Sequence, residues 1–305
     1  MATTSHEIWV CGEVLIDLIP EPGGSEKRAI VGGGPANTAK ALARLGFDTY
    51  FIDGISTDTY GQMCASELRD DGVNLSYAHF VDKPTCTADV TLDADGGAHY
   101  IFTIDGTATF DFSDTWLPDP TLSPAVLHIG TLVTIIEPAA TVLFQWATKV
   151  AEKSTIVFDP NIRPTVEGNR DKYRAAVERW AAISDVIKVS DDDLLWLYPN
   201  VDPITVAKRW ISEGRSLVVI TKGAAGLTGL TAGELVDVPG VMVTVSDTVG
   251  AGDTVGAIVV EGIVENGVEN LRGDLLRKNL ELAAKAAAIT CSRPGAQPPT
   301  RAELE

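Results

Sequence analysis

An aspartate flanked by glycines near the C-terminus is the residue of this 305-residue chain best suited to chemistry. Residues 247–254 read DTVGAGDT, and the apolar helical run VGAIVVEGIVENG follows. Because glycine has no side chain, the backbone N–H groups at the start of this helix can converge on one anion. The motif therefore predicts a phosphate or oxyanion hole formed by Gly250, Ala251, Gly252 and Asp253.

Asp253 is the candidate base of this motif. The positive end of the helix dipole favours its carboxylate form, so we expect a weak base. A weak base suits phosphoryl transfer, whose loose transition state needs positioning and charge stabilisation more than early proton removal. A helix-capping role for Asp253 is the alternative. The next glycine, Gly256, comes one residue too late for a dinucleotide-binding fingerprint, and the sequence contains neither a Walker A motif nor a protein-kinase signature.

A glycine triplet, GGG at 32–34, opens a second predicted helix with Pro35 in its first turn. Glycines let a ligand approach the backbone closely, and Asn37 offers a donor and an acceptor to sugar hydroxyls. A plain flexible turn is the alternative. Asp17 lies in an apolar, strand-like run, where a carboxylate needs a partner such as two vicinal hydroxyls. Its alternative role is in a turn at a strand end.

Short apolar runs alternate with helical patterns over most of the chain, which predicts a largely parallel sheet covered by helices on both faces. The strand candidates are 7–12, 49–54, 126–130, 155–159, 185–189 and 217–221. The helix candidates are 35–45, 60–70, 138–152, 170–182, 191–198 and 203–213. Residues 86–104 instead predict a β-hairpin turning at 94–97, which with 13–20 would form a small separate sheet.

Composition narrows the range of partners. The formal charge of -18, from 24 basic and 42 acidic residues, would repel nucleic acid and anionic membranes. No segment has the length and apolarity of a membrane span, and the N-terminus lacks the pattern of a signal peptide. The four cysteines are scattered without metal-ligand spacing, which favours a reducing cytoplasm.

Several of these motifs together resemble a known family. GGGPANTAKALARLG and DTVGAGDTVGAIVV are similar to the two signatures of the ribokinase (PfkB) family of carbohydrate kinases, and the likeness covers the whole chain. CGEVLIDLIP, FDPNIR, VITKGAAG and TCSRPGAQPPT resemble its fructokinase branch. The resemblance implies a three-layer α/β/α ribokinase-like sandwich with a mostly parallel central sheet. It implies a single domain over 1–305, with a small β-sheet lid formed by about 13–31 and 84–106, and a homodimer through that lid.

The same resemblance implies an ATP-dependent sugar kinase that uses Mg²⁺ and a monovalent cation such as K⁺. The implied catalytic residues are Asp253 and the anion hole at Gly250, Ala251 and Gly252. The implied substrate-binding residues are Asp17, Gly33, Gly34, Asn37, Phe102, Arg163 and Asp253. The implied nucleotide-binding residues are Ser190, Lys222, Gly223, Gly226, Gly250 and Gly252. The implied metal ligands are Asp193 for Mg²⁺, and Asp247 with the Val249 carbonyl for the monovalent cation.

Two positions depart from the family pattern. The N-x-x-E element is Ser190-Asp191-Asp192-Asp193 here, which a capped helix with an acidic first turn would equally explain. Ala284 replaces an asparagine that is common in the last long helix. Both departures leave a catalytically silent sugar-binding protein as an alternative, and a dinucleotide-dependent oxidoreductase is a third reading.

The lid sequence indicates the substrate. In many relatives the second lid strand ends in an F-Y-R pattern, whose arginine can neutralise an acidic sugar, whereas this chain has Phe102, Thr103 and Ile104 there. A neutral ketose is therefore favoured, which predicts conversion of fructose to fructose 6-phosphate. Arg163 could still meet a carboxylate, or form a surface salt bridge, so kinases for 2-keto-3-deoxygluconate, ribose or a nucleoside remain alternatives.

Overall fold

An eight-stranded sheet forms the centre of the fold. The computed structural model describes residues 7–21, 26–92 and 98–305, and strands and helices are numbered in chain order. The eight strands of the main sheet are β1 (Ile8–Cys11), β4 (Thr49–Ile52), β9 (Val126–Gly130), β10 (Thr155–Asp159), β11 (Val186–Ser190), β12 (Leu217–Thr221), β13 (Leu227–Leu230) and β14 (Leu235–Val238). Their order across the sheet is β14-β13-β12-β11-β10-β9-β1-β4.

The pairings confirm a mostly parallel sheet. All strands from β4 across to β12 pair in parallel, at the positions expected from the sequence. The last two strands at the other edge, β13 and β14, are antiparallel. This edge hairpin was not predicted from the sequence, because its two strands are only four residues long and LTGL and LVDV show little apolar periodicity.

Helices cover both faces of this sheet. The nine described helices are α1 (Gly34–Arg44), α2 (Thr59–Asp70), α3 (Ala139–Val150), α4 (Arg170–Ala181), α5 (Asp191–Leu197), α6 (Pro203–Ser212), α7 (Ala251–Asn266), α8 (Gly273–Cys291) and α9 (Arg301–Leu304). The six helices expected from periodicity are all present. Most of their ends differ from the predicted bounds by one residue, and the end of α3 differs by two. None of the helices in the described ranges is long and apolar enough to cross a membrane.

Alternate residues of each strand supply two separate hydrophobic cores. Val157 of β10 and Val186 of β11 pack with α1, α7 and α8, whereas Phe158 and Ile187 pack with α3 to α6. Parallel strands that are buried on both faces need apolar side chains on both, which is why these strands read as continuous apolar runs. The result is the three-layer α/β/α sandwich that was predicted.

A small four-stranded sheet stands beside this sandwich. Its strands are β2 (Leu15–Pro20), β3 (Lys27–Gly32), β7 (Thr87–Leu92) and β8 (Ala98–Thr103), in the order β3-β2-β7-β8. β7 and β8 pair antiparallel, as predicted, and β2 joins them in parallel through β7. The turn predicted at 94–97 lies outside the described residues. A further short pair, β5 (Gly54–Ser56) with β6 (His79–Val81), was not predicted.

The site lies where several chain segments leave the sheet together. In open parallel sheets, ligands bind beyond the carboxyl ends of the strands. Here β1 is followed by Glu13, β10 is followed by Asn161 and Arg163, and β11 ends at Ser190. The small sheet and the start of α7 surround the same edge, so residues far apart in sequence meet there.

Candidate active site

Two cavities meet at the first turn of α7. The first, called the polar cavity, has a volume of about 360 Å³ and lies between the small sheet and the carboxyl edge of the main sheet. The second, the apolar cavity, has a volume of about 430 Å³ and lies between α7, α8 and residues 240–245. Thr248 and Gly252 line both cavities, so the start of α7 faces both of them.

The polar cavity brings together all of the residues predicted to bind substrate. It is lined by Glu13, Leu15, Asp17, Gly32, Gly33, Gly34, Asn37, Phe102, Leu132, Asn161, Arg163, Thr165, Lys188, Thr248, Val249, Gly250, Gly252 and Asp253. All seven residues predicted to bind substrate are in this set, drawn from the small sheet, α1, α7 and the loop after β10.

The first turn of α7 forms the predicted anion site with one correction. Gly250 precedes the helix with φ 80 and ψ -4, and no side chain caps the helix. The N–H groups of Gly250, Gly252 and Asp253 donate to no acceptor in the described residues. The Ala251 N–H, in contrast, donates to the Thr248 carbonyl at 3.3 Å, so it is not free as predicted. The free N–H groups and the helix dipole together favour an anion here.

Asp253 occupies the first turn of α7 with its carboxylate in the polar cavity. It does not cap the helix, because its Oδ2 accepts a hydrogen bond from Asn37 Nδ2 at 2.9 Å instead. Its side chain is buried. The positive charges of Lys188 and Arg163 both lower the pKa of its carboxyl. The capping alternative for Asp253 is therefore wrong in this structure.

Burial makes Asp253 a stronger base than the sequence indicated. Desolvation raises the pKa of its carboxyl to about 6, with Lys188 opposing this rise and Asp159 adding to it. The helix dipole alone predicts a lowered pKa, which is wrong here because the loss of water around the carboxylate outweighs the dipole. A pKa near 6 keeps the group ionised at neutral pH and makes it a better proton acceptor.

Gly33 and Gly34 shape the floor of the polar cavity. Gly33 precedes α1 with φ 111, and a side chain there would overlap the Glu13 backbone. A Cβ at Gly34 would lie 2.8 Å from Asn161 Nδ2 and 3.2 Å from Asp253 Oδ1. The turn before α1 therefore brings the backbone against the candidate base, which a flexible surface turn would not do.

Asp17 is the third of six residues in β2, not a turn residue at a strand end. Its carboxylate has no hydrogen-bond partner among residues 7–21, 26–92 and 98–305, and Gly32 on the paired strand leaves room for it. Partial burial raises its pKa to about 6, with Arg163 opposing the rise. A carboxylate that faces a cavity without a protein partner is suited to binding ligand hydroxyls.

Arg163 presents a cation to the same cavity. Its Nη1 donates to Asn161 Oδ1 at 2.8 Å and to the Ile162 carbonyl at 3.0 Å. No carboxylate of the described chain lies within ion-pair distance, so the surface salt bridge considered from the sequence is not formed. Asn161 has φ 39, a left-handed conformation in which asparagine is tolerated. The loop after β10 thus holds the guanidinium in place without neutralising it.

Glu13 is a buried carboxyl that the sequence analysis did not single out. It is 2% exposed, and its Oε2 has no hydrogen-bond partner in the described chain. Desolvation raises the pKa of this carboxyl to about 8, despite the opposing effect of Arg163. Glu13 is consequently mostly protonated at neutral pH.

This pKa predicts how stability depends on pH. Between pH 5 and 7.5 the folded state keeps a proton on Glu13 that the unfolded state releases, so the free energy of unfolding falls as pH rises. Glu13→Gln removes this proton difference between the folded and unfolded states. The fall in the free energy of unfolding should therefore become smaller by about 1.4 kcal/mol per pH unit. Urea unfolding at several pH values measures it. Glu152→Gln, at an exposed position after α3, is the matched control, and equal slopes in both variants would contradict the prediction.

Comparison with known proteins identifies the family. The sequence profile described as "pfkB family carbohydrate kinase" matches residues 5–303. The chain belongs to the PfkB family of carbohydrate kinases. Its ribokinase-like fold and its kinase class agree with the site geometry and with the resemblance drawn from the sequence motifs.

Relatives within the PfkB family include fructokinases. The fructokinase of Rhizobium leguminosarum bv. trifolii is 38% identical over 259 residues, which are 84% of this chain and 79% of that protein. A double mutant of Vibrio cholerae O395 fructokinase, solved with fructose, ADP and potassium ion, has a TM-score of 0.86 at 26% identity and covers 99% and 98% of the two chains. Xylella fastidiosa fructokinase with bound ATP has a TM-score of 0.91 at 24% identity, covers 98% and 97%, and shows the fold.

The apolar cavity holds part of the predicted nucleotide loop of this PfkB-family chain. Gly223, Gly226 and Ala284 line it, together with Met242, whose side chain is 91% exposed. Lys222 does not line it, because its Nζ donates to Asp237 Oδ1 on β14 at 3.0 Å. An apolar slot with glycines at its mouth suits a flat base more than a charged group.

The Ser190–Asp193 element forms a capped helix start. Ser190 Oγ accepts from the Asp193 N–H at 3.0 Å, and Asp193 Oδ2 accepts in return from the Ser190 N–H. Asp193 Oδ1 accepts from the Ile162 N–H at 3.1 Å. The capping explanation therefore accounts for both residues. The Mg²⁺ role of Asp193 stays a prediction.

Asp247 and Val249 lie at the other side of the α7 start. Asp247 Oδ1 accepts from the Val249 N–H at 3.0 Å, and Oδ2 accepts from the Gly295 N–H at 2.9 Å. These contacts tie the segment before α7 to the loop after α8. The monovalent-cation role of Asp247 and of the Val249 carbonyl stays a prediction.

Lys188 is the cation that the sequence analysis missed. It lies in β11, lines the polar cavity, and its Nζ donates to Asp159 Oδ2 at 2.7 Å. The available signal was a lysine inside the otherwise apolar strand sequence VIKVS, because such a charge is buried only where it is paired.

Proposed function

We propose that this protein is an ATP-dependent fructokinase that converts D-fructose to fructose 6-phosphate. The observation that carries the proposal is the start of α7, where Asp253 and the free N–H group of Gly250 face the polar cavity and Gly252 lines both the polar and the apolar cavity. A sugar in the polar cavity and an adenine in the apolar cavity would place the transferring phosphoryl group at the start of α7.

The proposed reaction is a direct transfer. The sugar hydroxyl oxygen forms a bond to the γ-phosphorus, the bond from that phosphorus to the bridging oxygen of ADP breaks, and the hydroxyl proton passes to Asp253. The N–H groups of Gly250 and Gly252 would stabilise negative charge on the phosphoryl oxygens. Asn37, which donates to Asp253 Oδ2, would hold the base in position.

Mg²⁺ would be held mainly by the phosphates of ATP, with Asp193 in contact through water. The described residues contain no group of three or more His, Cys, Asp or Glu side chains placed to bind a metal by themselves. When bound, the ion would neutralise charge on the phosphates. A monovalent cation near Asp247 and the Val249 carbonyl is part of the same proposal.

The charges of the polar cavity support a neutral sugar. The ionised acidic side chains that line it are Asp17 and Asp253, because Glu13 is mostly protonated, and the basic ones are Arg163 and Lys188, so the two signs of charge balance. Asp17 would accept hydrogen bonds from vicinal hydroxyls, because it has no protein partner within the described chain. The small sheet would act as a lid, and its closure would exclude water and suppress ATP hydrolysis.

The cell compartment and assembly belong to the same proposal. All four cysteines are free thiols, as expected for a protein that works in the reducing cytoplasm. The homodimer through the lid stays a prediction, and Ile101 on β8, 64% exposed, offers apolar surface for it.

The test is ADP release from MgATP with fructose, ribose, 2-keto-3-deoxygluconate, glucose and adenosine, each with and without K⁺. We expect turnover with fructose well above the other acceptors. Asp253→Ala should abolish it. A higher kcat/KM for another sugar would replace fructose as the substrate. Absence of turnover with every acceptor, although one of them raises the melting temperature, would favour the non-catalytic binding protein.

Activity should fall at acidic pH with the protonation of Asp253. The protonated carboxyl cannot accept the hydroxyl proton, so kcat/KM for fructose should fall below a midpoint near pH 6, the pKa of Asp253. The fall should be at least tenfold per pH unit, because Asp17, which would bind the sugar, has a pKa of about 6 as well. The measurement is kcat/KM from pH 5 to 8 at saturating MgATP, with tryptophan fluorescence as a check of folding. A midpoint near pH 4 would contradict the prediction.

A further inference from the structure

A buried lysine stands directly behind the candidate anion site. Lys188 is the third residue of β11, and the residue is 4% exposed. Its neighbours in the strand, Ile187 and Val189, belong to the hydrophobic core on the other face. Because a charge in such a place is costly unless it is paired, the contacts of this ammonium define what it can do.

The Lys188 ammonium makes a single hydrogen bond within the described chain. Lys188 Nζ donates to Asp159 Oδ2 at 2.7 Å, and the described residues provide no second acceptor. An ammonium has three N–H donors, so donors remain for another acceptor. Asp159 is also buried, and its Oδ1 accepts no hydrogen bond there. The pair is thus mutually dependent and incompletely satisfied.

The ammonium lies against the first turn of α7. A Cβ built on Gly252 would lie 3.1 Å from Lys188 Nζ, so the ammonium lies close to the Gly252 backbone, and the glycine leaves room for it. Lys188 also lines the polar cavity with Gly250 and Asp253. The unused donors of the ammonium and the free N–H groups of α7 are therefore adjacent.

Several charged groups surround Asp253. Lys188 and Arg163 lower the pKa of Asp253, and Asp159 raises it. Glu13 is coupled to it as well, and Asn37 donates to its Oδ2. Among the charged groups, Lys188 has the largest effect. The same lysine keeps its own charge, because Asp159 and Asp253 outweigh desolvation and raise the pKa of Lys188.

We propose that Lys188 is a further catalytic residue whose ammonium donates a hydrogen bond to an oxygen of the γ-phosphoryl group during transfer, with Asp159 as the positioning residue. This inference rests on the proposed kinase function. Lys188 remains an ammonium throughout, so no proton leaves it and the balance of the transfer is unchanged. Its full positive charge complements the neutral N–H donors of α7 where negative charge develops.

A purely structural ion pair would not need this arrangement. Buried pairs of that kind contribute little net stability compared with apolar residues of the same volume. A structural pair also gains nothing from unused donors that point into a ligand cavity. Here the unused donors lie beside Gly252, one residue from the candidate base.

The first test compares Lys188→Met, Lys188→Arg and wild type with MgATP and fructose. Lys188→Met should lower kcat about 10²–10³-fold, as for loss of one oxyanion donor, with KM for fructose nearly unchanged. Lys188→Arg retains the charge and should recover part of the loss. Lys172→Met is the matched control, because Lys172 of α4 lies outside both cavities, where it forms an exposed ion pair with Glu167 of the preceding loop. The control should keep the wild-type kcat.

The second test measures kcat/KM as a function of pH. A variant that is only partly folded would lose activity, but the midpoint of its acidic limb would not shift in a defined direction. Lys188→Met removes the largest cationic effect on Asp253, so the acidic limb of kcat/KM should move to higher pH. Asp159→Asn removes a group that raises the same pKa, so the limb should move to lower pH. Shifts of opposite sign in two neighbouring variants separate electrostatic control from general damage.

The outcomes separate this inference from the proposed function. No turnover of wild type with any of the tested acceptors would overturn the function. Wild-type turnover of fructose, together with a kcat of Lys188→Met within about threefold of wild type, would overturn the role of Lys188 alone. If Lys188→Met does not fold, a wild-type kcat and pH profile in Asp159→Asn would overturn the role of the pair.

Discussion

Asp253→Asn is expected to lower kcat for fructose phosphorylation about 10²–10⁴-fold, the usual contribution of general base catalysis. The asparagine has nearly the same shape, but it cannot accept the hydroxyl proton. Fructose affinity should change little, because Asp17, Asn37 and the glycine turn remain in the polar cavity. The loss should therefore appear in kcat and not in KM.

The measurement combines steady-state kinetics with calorimetric titration of fructose. Asp171→Asn makes the same chemical change at a position of α4 whose side chain is 83% exposed, and it should retain wild-type kinetics. A kcat of Asp253→Asn within tenfold of wild type would show that another group takes the proton. A large loss of fructose affinity with unchanged kcat would show that Asp253 only binds the sugar.

Gly250→Ala is the second variant with a large expected effect. Gly250 has φ 80, where a side chain costs about 1–2 kcal/mol. The new Cβ would also lie 2.7 Å from the Ala296 Cβ and 3.1 Å from its Cα, so the loop after α8 or the start of α7 must move. Because the N–H donors of the anion site would move with it, kcat should fall about 10²–10³-fold.

Gly46→Ala is the matched control for this variant. Gly46 follows α1 with φ 93, and a Cβ there would meet no atom within 4 Å. Gly46→Ala therefore introduces the backbone strain without a steric clash. Its free energy of unfolding should fall by about 1 kcal/mol, and its activity should be retained. Thermal unfolding and kcat of both variants are compared. Equal losses of kcat in both would show that Gly250 acts through stability alone.

The order of strands and helices was predictable because it depends on local patterns. Runs such as VLHIG and TIVFD are short and mostly apolar, which is the pattern of a strand buried on both faces, and both segments are strands in the structure. Gly34 and Pro35 mark the start of α1, where fixed backbone angles suit the first turn. The edge strands β13 and β14 were missed, since four residues carry too little periodicity.

The proton affinity of the site could not be predicted from the sequence. Position in the first turn of α7 indicated a lowered pKa for Asp253, whereas burial raises it to about 6. The number of water molecules lost around a carboxylate depends on neighbours from other parts of the chain. Glu13 shows the same effect more strongly, with a pKa raised to about 8.

By itself, the sequence determined the fold class, the two glycine motifs and the chemistry of the residue types within them, because each depends on a few adjacent residues. Only the tertiary structure decided which of these residues meet. Asn37 and Asp253, 216 positions apart, share a hydrogen bond, and Lys188 reaches Gly252 from a strand that no motif marked. Such contacts depend on how the helices pack on the sheet, and packing places charges and removes water in ways that local sequence does not encode.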